Sequence, residues 1–303
     1  MIHRFDQITV DFPEPTGPNP QGAAAVQELL GGKFGEMSTL MNYTFQSFNF
    51  RGKKNFRPFY DLISNIAAEE YSHIEAVTCA INLMLSGATE RADRNKTPDG
   101  SKKDPAPLKG ALDYRLSTHY LNTGQTAVPM DSMGRFWTGE NVFSSGNLKL
   151  DLLHNFFLEC GARAGKIRVY ESTDDPVARA AVGYLLVRGG VHVVAYAKAL
   201  EVLTGANVGA VLPIPDVSNK KFPEAAKLEQ NEGLHTIMYH QSKDYTELAK
   251  IWNGPHPEDG KPLVVKEEMP KGYPWPVLDE EPQLGAPGDI DQAMLKYYAD
   301  KLG

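Results

Sequence analysis

The chain has 303 residues, 42% of them hydrophobic and 23% charged, which is enough apolar material for a full core and excludes a disordered or coiled-coil chain. Lysine plus arginine number 31 against 38 for aspartate plus glutamate, and the formal charge of −7 has the wrong sign for a nucleic-acid or anionic-membrane binder. Cys79 and Cys160 are too few for a disulfide framework or a thiolate metal site and suit a reducing, cytoplasmic setting.

The opening MIHRFDQITVDFPEP has neither the basic nor the apolar region of a signal peptide, and residues 1–20 read as an extended N-terminal segment. Apolar residues at three- and four-residue intervals predict a first helix from Gln21 to Phe50, stopped by Arg51-Gly52-Lys53. A second begins near Pro58, acceptable in a first turn, and ends at Gly87. Residues 88–145 form a polar, then mixed, connection. A third helix covers Asn147 to Glu171, and a fourth opens at Asp174-Asp175-Pro176 and closes at Thr204-Gly205.

The links at Gly52 to Arg57 and at Ser172-Thr173 are short, so helices one and two, and helices three and four, should each form an antiparallel hairpin. The long connection between the hairpins is the single crossover of a ferritin-like four-helix bundle, an all-α fold spanning residues 21–205. The most apolar stretch, Ala180 to Leu203, is interrupted by Arg188, His192, Lys198 and Glu201, so no membrane span is expected. Residues 206–303 are rich in proline and poor in periodicity, and read as a C-terminal tail draped over a neighbouring subunit, with short helices at Asp244 to Trp252 and Asp289 to Leu302. Composition alone also allows a disordered linker, although Trp252 and Trp275 argue for docking.

Helix two carries Glu70-Tyr71-Ser72-His73, a Glu-x-x-His whose two ends share one helical face. The same spacing at Glu232 and His235 lies in the tail without an apolar helical context and reads as a decoy. Each remaining helix supplies one ionisable group in an apolar run: Glu36, Glu159 and His192. A carboxylate buried in such surroundings must be neutralised, paired or metal-bound. Three carboxylates and two imidazoles suffice for two first-row ions about 3.5 to 4 Å apart, manganese or iron by ligand type. Glu70 is the expected bridge, with Glu36 and His73 on one ion and Glu159 and His192 on the other. A symmetrical di-iron pattern would place a carboxylate three residues before His192, where Gly189 stands, and the missing ligand should leave space for solvent and a small substrate.

The segments LLGGKFGEMSTLMNYTFQSFNFRGKK, IAAEEYSHIE, SGNLKLDLLHNFFLE with ARAGKIRVYE, and DDPVARAAVGYLLVRGGVHVVAYAKALE together resemble the non-haem manganese catalases. The resemblance covers all four helices and continues more loosely from LPIPDVSNKKFPEA to IWNGPHPEDG. It implies disproportionation of hydrogen peroxide to water and dioxygen at two manganese ions alternating between Mn(II)2 and Mn(III)2, with oxo, hydroxo or water bridges. It also implies Glu36, Glu70, His73, Glu159 and His192 as ligands, agrees with glycine at 189, and matches Tyr43 to an outer-sphere tyrosine and Lys166 to a lysine facing the metal pocket. Protons would move through Glu70 or Glu36. Arg163 and Arg188 are either partners of core carboxylates or surface residues. A homohexamer is implied, and in some members a structural calcium, for which Asp61 is the first candidate ligand here. A di-iron ferroxidase or oxidase of the same bundle class, and a purely structural or storage bundle, are the competing expectations.

Overall fold

Helix one of the sequence reading is two helices. In the computed structural model, which describes residues 7–17, 19–87, 126–211 and 216–276 with Tyr297, Asp300 and Lys301, α1 spans Pro20–Gly31 and α2 spans Glu36–Phe48. The break falls at the glycines. Gly31 is pressed against the returning crossover, where a Cβ would lie 2.3 Å from the Met130 nitrogen, and its N–H donates to the Met130 carbonyl at 3.0 Å. Gly32 is extended, with ψ of 166°, so the helical ladder stops there and resumes after Gly35. Periodicity runs through this break because apolar spacing carries no information on a backbone-to-backbone approach. The break makes Glu36 the first residue of α2, where the positive end of the helix dipole favours a carboxylate.

The other three helices form where capping chemistry predicts. α3 runs Arg57–Ser86 and ends on Gly87, whose φ of 71° is the left-handed conformation that glycine adopts readily. α4 runs Leu148–Ser172, with the Asn147 side chain accepting from the Leu150 N–H at 3.2 Å. α5 runs Pro176–Thr204, with Asp175 accepting from the N–H groups of Val177 and Ala178 at 2.9 and 3.2 Å. α2 packs on α3, α4 on α5, and α3 and α5 on each other, closing the bundle. By length and composition α5 could cross a membrane, but its most apolar window is 94% buried within the fold, so its hydrophobicity serves the core.

Residues 88–125 of the crossover lie outside the described residues. From residue 126 the chain returns along α1 and α2. Gln27 Nε2 donates to the carbonyls of Val128 and Met130, Trp137 Nε1 to Ser38 Oγ at 2.9 Å, and Asn42 Nδ2 to the Asn141 carbonyl at 2.9 Å.

The tail expected to drape over a neighbour packs, from 216 to 276, on its own bundle. α6 (Pro223–Glu232), absent from the sequence reading, lies on α5. β1 (Gln7–Ile8) pairs antiparallel with β4 (Tyr273–Pro274), and β2 (Ile237–Tyr239) pairs in parallel with β3 (Val264–Lys266). The predicted helix at Asp244 to Trp252 is only a 3-10 turn over Leu248–Lys250, and the one at Asp289 to Leu302 lies almost wholly outside the described residues. Few apolar residues suffice to dock the segment because Met238, Leu248, Ile251 and Trp252 are all buried in the bundle's core, and Trp252 Nε1 donates to the Thr236 carbonyl at 3.0 Å.

The core divides into two apolar layers. One holds Val26, Leu30, Ala80, Leu83 and Leu185; the other holds Leu62, Ile66, Val191, Val194 and Tyr196. Glu69, Glu70 and His73 of α3 and Arg188 and His192 of α5 belong to neither cluster. The close approach at Gly31 gives a direct test: Gly31→Val should lower stability by about 1–3 kcal/mol through overpacking. Gly139→Ala, whose added Cβ meets nothing within 4 Å, should leave the thermal unfolding midpoint unchanged. Equal midpoints for the two variants would refute the packing role.

Candidate metal centre

Between the apolar layers lies a sheet of ionisable side chains with almost no solvent contact. Glu36, Glu70, His73, Glu159 and His192 are each at most 1% exposed. Each comes from a different turn: Glu36 opens α2, Glu70 and His73 sit one turn apart on α3, Glu159 is mid-α4 and His192 mid-α5. The structure brings all five together.

Glu70 occupies the middle. Its Oε2 lies 3.0 Å from His73 Nδ1 and its Oε1 lies 2.7 Å from His192 Nδ1. Glu36 Oε2 approaches His73 Nδ1 at 3.5 Å, and Glu159 Oε1 approaches His192 Nδ1 at the same distance. The rings stack, with centroids 5.4 Å apart and planes inclined by 24°. One atom each from Glu70, His73 and His192 lie within 4.8 Å of one another.

Several of these atoms lack a hydrogen-bond partner although fully buried: Glu70 Oε1, Glu159 Oε2 and His192 Nδ1. Leaving them so is costly, at about 1–3 kcal/mol per group and more when charged. The 2.7 Å approach of Glu70 Oε1 to His192 Nδ1, without hydrogen-bonding geometry, is what two ligands of one cation show. Charge agrees. Four buried carboxylates, Glu36, Glu69, Glu70 and Glu159, meet two permanent cations, Lys166 and Arg188, which leaves two negative charges over. Burial opposes a positive charge on His73 and His192, yet Glu70 and its neighbours outweigh burial and hold both rings well above the usual histidine range. The same field suits a metal ion, and oxygen with imidazole nitrogen is a donor set for first-row divalent metals.

The sequence reading missed Glu69. It approaches the far side of both rings, with Oε1 3.8 Å from His73 Nε2 and Oε2 3.4 Å from His192 Nε2. Arg188 Nε donates to Glu69 Oε1 at 2.5 Å while its Nη1 donates to the carbonyls of Leu234 and Ile237, each at 2.7 Å. Burial alone would raise Glu69, but Arg188 and then His192 hold its carboxyl well below the usual range. The charged carboxylate faces the Nε2 sides of both imidazoles at ion-pair distance, although neither Nε2 makes a hydrogen bond, while each Nδ1 faces Glu70 in the interior. A signal was present: Glu69 stands four residues before His73 and so shares its face.

Other assignments sharpen. Tyr43 Oη donates to Glu159 Oε1 at 2.7 Å, and burial followed by the Glu159 charge raises the phenol far above its usual value, so it stays a donor. Lys166 Nζ lies 2.9 Å from Glu36 Oε1. Burial would neutralise the lysine; Glu36, Glu159 and Glu70 outweigh it and keep the ammonium charged. The space expected open at Gly189 holds this lysine, because a Cβ at 189 would lie 3.1 Å from Lys166 Nζ. Arg163 does not neutralise Glu159. It anchors the tail, donating to the carbonyls of Asp216 and Ser218 and to Asn219 Oδ1, as well as to Leu186 in α5. Arg188 is wholly internal. Asp61 lies outside the cluster, accepting from Arg57 Nε at 2.5 Å and from the Glu247 N–H at 3.0 Å.

A family model described as "Manganese containing catalase" matches residues 1–296. A manganese catalase of Bacillus subtilis (strain 168) is 30% identical over 273 residues, 89% of this chain and 90% of the relative. A manganese catalase of Lactiplantibacillus plantarum is 28% identical over 254 residues, 84% and 87% of the two chains. The crystal structure of KatB, a manganese catalase from Anabaena, superposes with a TM-score of 0.51 at 24% identity, covering 80% of this chain and 92% of that one, and so shares the fold.

Removing the Glu69 charge should loosen the metal ligands without touching the metals. Glu69→Gln is expected to weaken metal retention by about 10- to 100-fold, read as metal content after dialysis against graded chelator. Retention equal to that of the unsubstituted chain would mean that Glu69 does not orient the imidazoles.

Proposed function

This chain belongs to the manganese-containing catalase family, and we propose that its five core side chains hold the manganese pair at which hydrogen peroxide becomes water and dioxygen. The observation that carries the assignment is Glu70, whose two oxygens face the two Nδ1 atoms while Glu36 and Glu159 each stand beside one ring. Glu70 would then be shared by the two ions, with Glu36 and His73 holding one and Glu159 and His192 the other. When bound, manganese cycling between Mn(II)2 and Mn(III)2 supplies the two-electron chemistry that oxidises one peroxide to dioxygen and reduces another to water.

The protein's own groups do the rest. Two divalent ions would exceed the two surplus negative charges of the core by two, a difference that anionic oxo or hydroxo bridges would offset. Thr39 Oγ1 donates to Glu70 Oε2 at 3.0 Å and holds that carboxylate in its spanning orientation. Tyr43 fixes Glu159 in the same way. Lys166, held charged beside Glu36, would place a cation where an anionic form of peroxide develops; burial alone would raise the Glu36 carboxyl, but Lys166 and then His73 hold it well below its usual range, so Glu36 stays an ionised partner of the lysine. The two apolar layers keep bulk water from the reaction.

Association into a homohexamer is in keeping with exposed apolar side chains: Phe48 of α2 is 74% exposed, and Leu150, Leu153 and Phe157 recur along α4, the last 66% exposed. A structural calcium at Asp61 would require Arg57 to give up its contact there. Free thiols at Cys79 and Cys160 support a cytoplasmic setting.

The decisive experiment is metal analysis of protein from manganese-supplemented cells together with oxygen release on adding peroxide. Two manganese per chain with oxygen evolution is expected, and Glu70→Ala should abolish both. Iron without oxygen release would favour a di-iron oxidase instead. Tyr43→Phe should retain both metals while lowering turnover by about 10- to 100-fold. Light scattering of the eluting native protein should give the mass of six chains; a monomer would refute the hexamer.

A further inference from the structure

His235, set aside as a decoy, has partners that its sequence neighbours do not reveal. Glu232 is exposed and does not join it. Instead His235 Nε2 lies 3.0 Å from Asp259 Oδ2, and His256 Nδ1 lies 3.4 Å from Asp259 Oδ1. The two rings meet edge to face with centroids 4.9 Å apart, and one ligand atom from each of the three residues lies within 4.8 Å of the others. Both imidazoles are buried, at 5% exposure each, whereas the Asp259 side chain is 30% exposed. His235 Nδ1 has no hydrogen-bond partner, so the Nε2 side alone orients the ring.

The geometry points to a second metal site, independent of the bundle core, in which His235, His256 and Asp259 bind one zinc ion. Four ligands at zinc's bond lengths of about 2.0–2.1 Å stand about 3.3 Å apart along a tetrahedral edge. The measured separations, 3.0 Å from His235 Nε2 to Asp259 Oδ2 and 3.4 Å from His256 Nδ1 to Asp259 Oδ1, run to different carboxylate oxygens, so the aspartate pivots slightly to offer the ion one of them within the 4.8 Å that already encloses one donor atom from each residue. Two imidazole nitrogens and a carboxylate oxygen suit zinc, with the fourth position left to water. The half-exposed aspartate gives the ion a way in. Two contacts would yield to it. Lys261 Nζ, 3.1 Å from Asp259 Oδ2 and 55% exposed, can turn into solvent, and the Glu258 N–H to His256 Nδ1 contact is long at 3.3 Å.

The ligands come from two pieces of the tail wall. His235 lies in the 3-10 turn Leu234–Thr236, and His256 and Asp259 lie in a loop closed by the Gly260 N–H donating to the His256 carbonyl at 3.0 Å. An ion here joins the pieces beside Leu234 and Ile237, whose carbonyls hold Arg188. Its role is therefore structural: it stiffens the outer anchor of the Arg188–Glu69 pair.

The test uses the full manganese-loaded protein. Crystals soaked in 1:1 zinc chloride per chain should give an anomalous peak at the zinc edge amid the three side chains, and zinc titration followed by dialysis should leave one zinc per chain beside an unchanged manganese content. His256→Asn and, as a second variant on the exposed edge, Asp259→Asn should each weaken zinc binding beyond the about 100-fold expected for loss of a mere supporting contact. Near-ultraviolet circular dichroism would confirm that both variants are folded. No peak at this position, or undiminished zinc binding in the folded Asp259→Asn protein, would overturn the site and leave the three residues as a hydrogen-bonded staple.

Discussion

Four carboxylates gathered in one buried layer, Glu36, Glu69, Glu70 and Glu159, with only Lys166 and Arg188 as permanent cations beside them, are the constraint on which this protein depends. A lone ionised carboxylate in such surroundings is prohibitively unstable. Each of the four is held by something specific: Glu36 by Lys166, Glu69 by Arg188, Glu70 by Thr39 and the imidazoles, Glu159 by Tyr43. The residual negative charge suits the interior to the pair of cations proposed for it, and the same burial that makes the charges expensive keeps the layer from bulk water.

The fold around this layer is arranged to hold it. The break after Gly31 gives Glu36 a helix N-terminus, and the approach of Met130 to Gly31 ties that break to the crossover. Glycine at 189 serves close packing: the lysine ammonium occupies the position beside it, putting a positive group where a symmetrical di-iron pattern would have another carboxylate. On the proposed assignment, the number of anionic ligands would fall by one and a cation would face the substrate.

The tail is part of this support. Residues 216–219 receive Arg163, and Leu234 and Ile237 receive Arg188, so two buried arginines of α4 and α5 end on tail carbonyls. One leads through Glu69 to the Nε2 sides of both histidines. The ligand geometry in the bundle is thereby coupled to a segment that contributes no ligand to the bundle core.

Helices α3, α4 and α5 were legible because their signals are local: proline in a first turn, an asparagine or aspartate cap, and a terminal glycine, with apolar periodicity between. The five core residues were legible for a related reason, since an ionisable group in an otherwise apolar helix stands out by itself. Only the tertiary structure decided what depends on a distant partner. The break in the first helix is set by Met130, about 100 residues away by numbering; Glu69 gains its role when Arg188 arrives from α5; Arg163 turns to the tail instead of Glu159; and His235 meets Asp259 instead of Glu232. Periodicity records which face of a helix is buried, but a charged group's partner depends on how separate segments fold against one another, and spacing along the chain does not encode that.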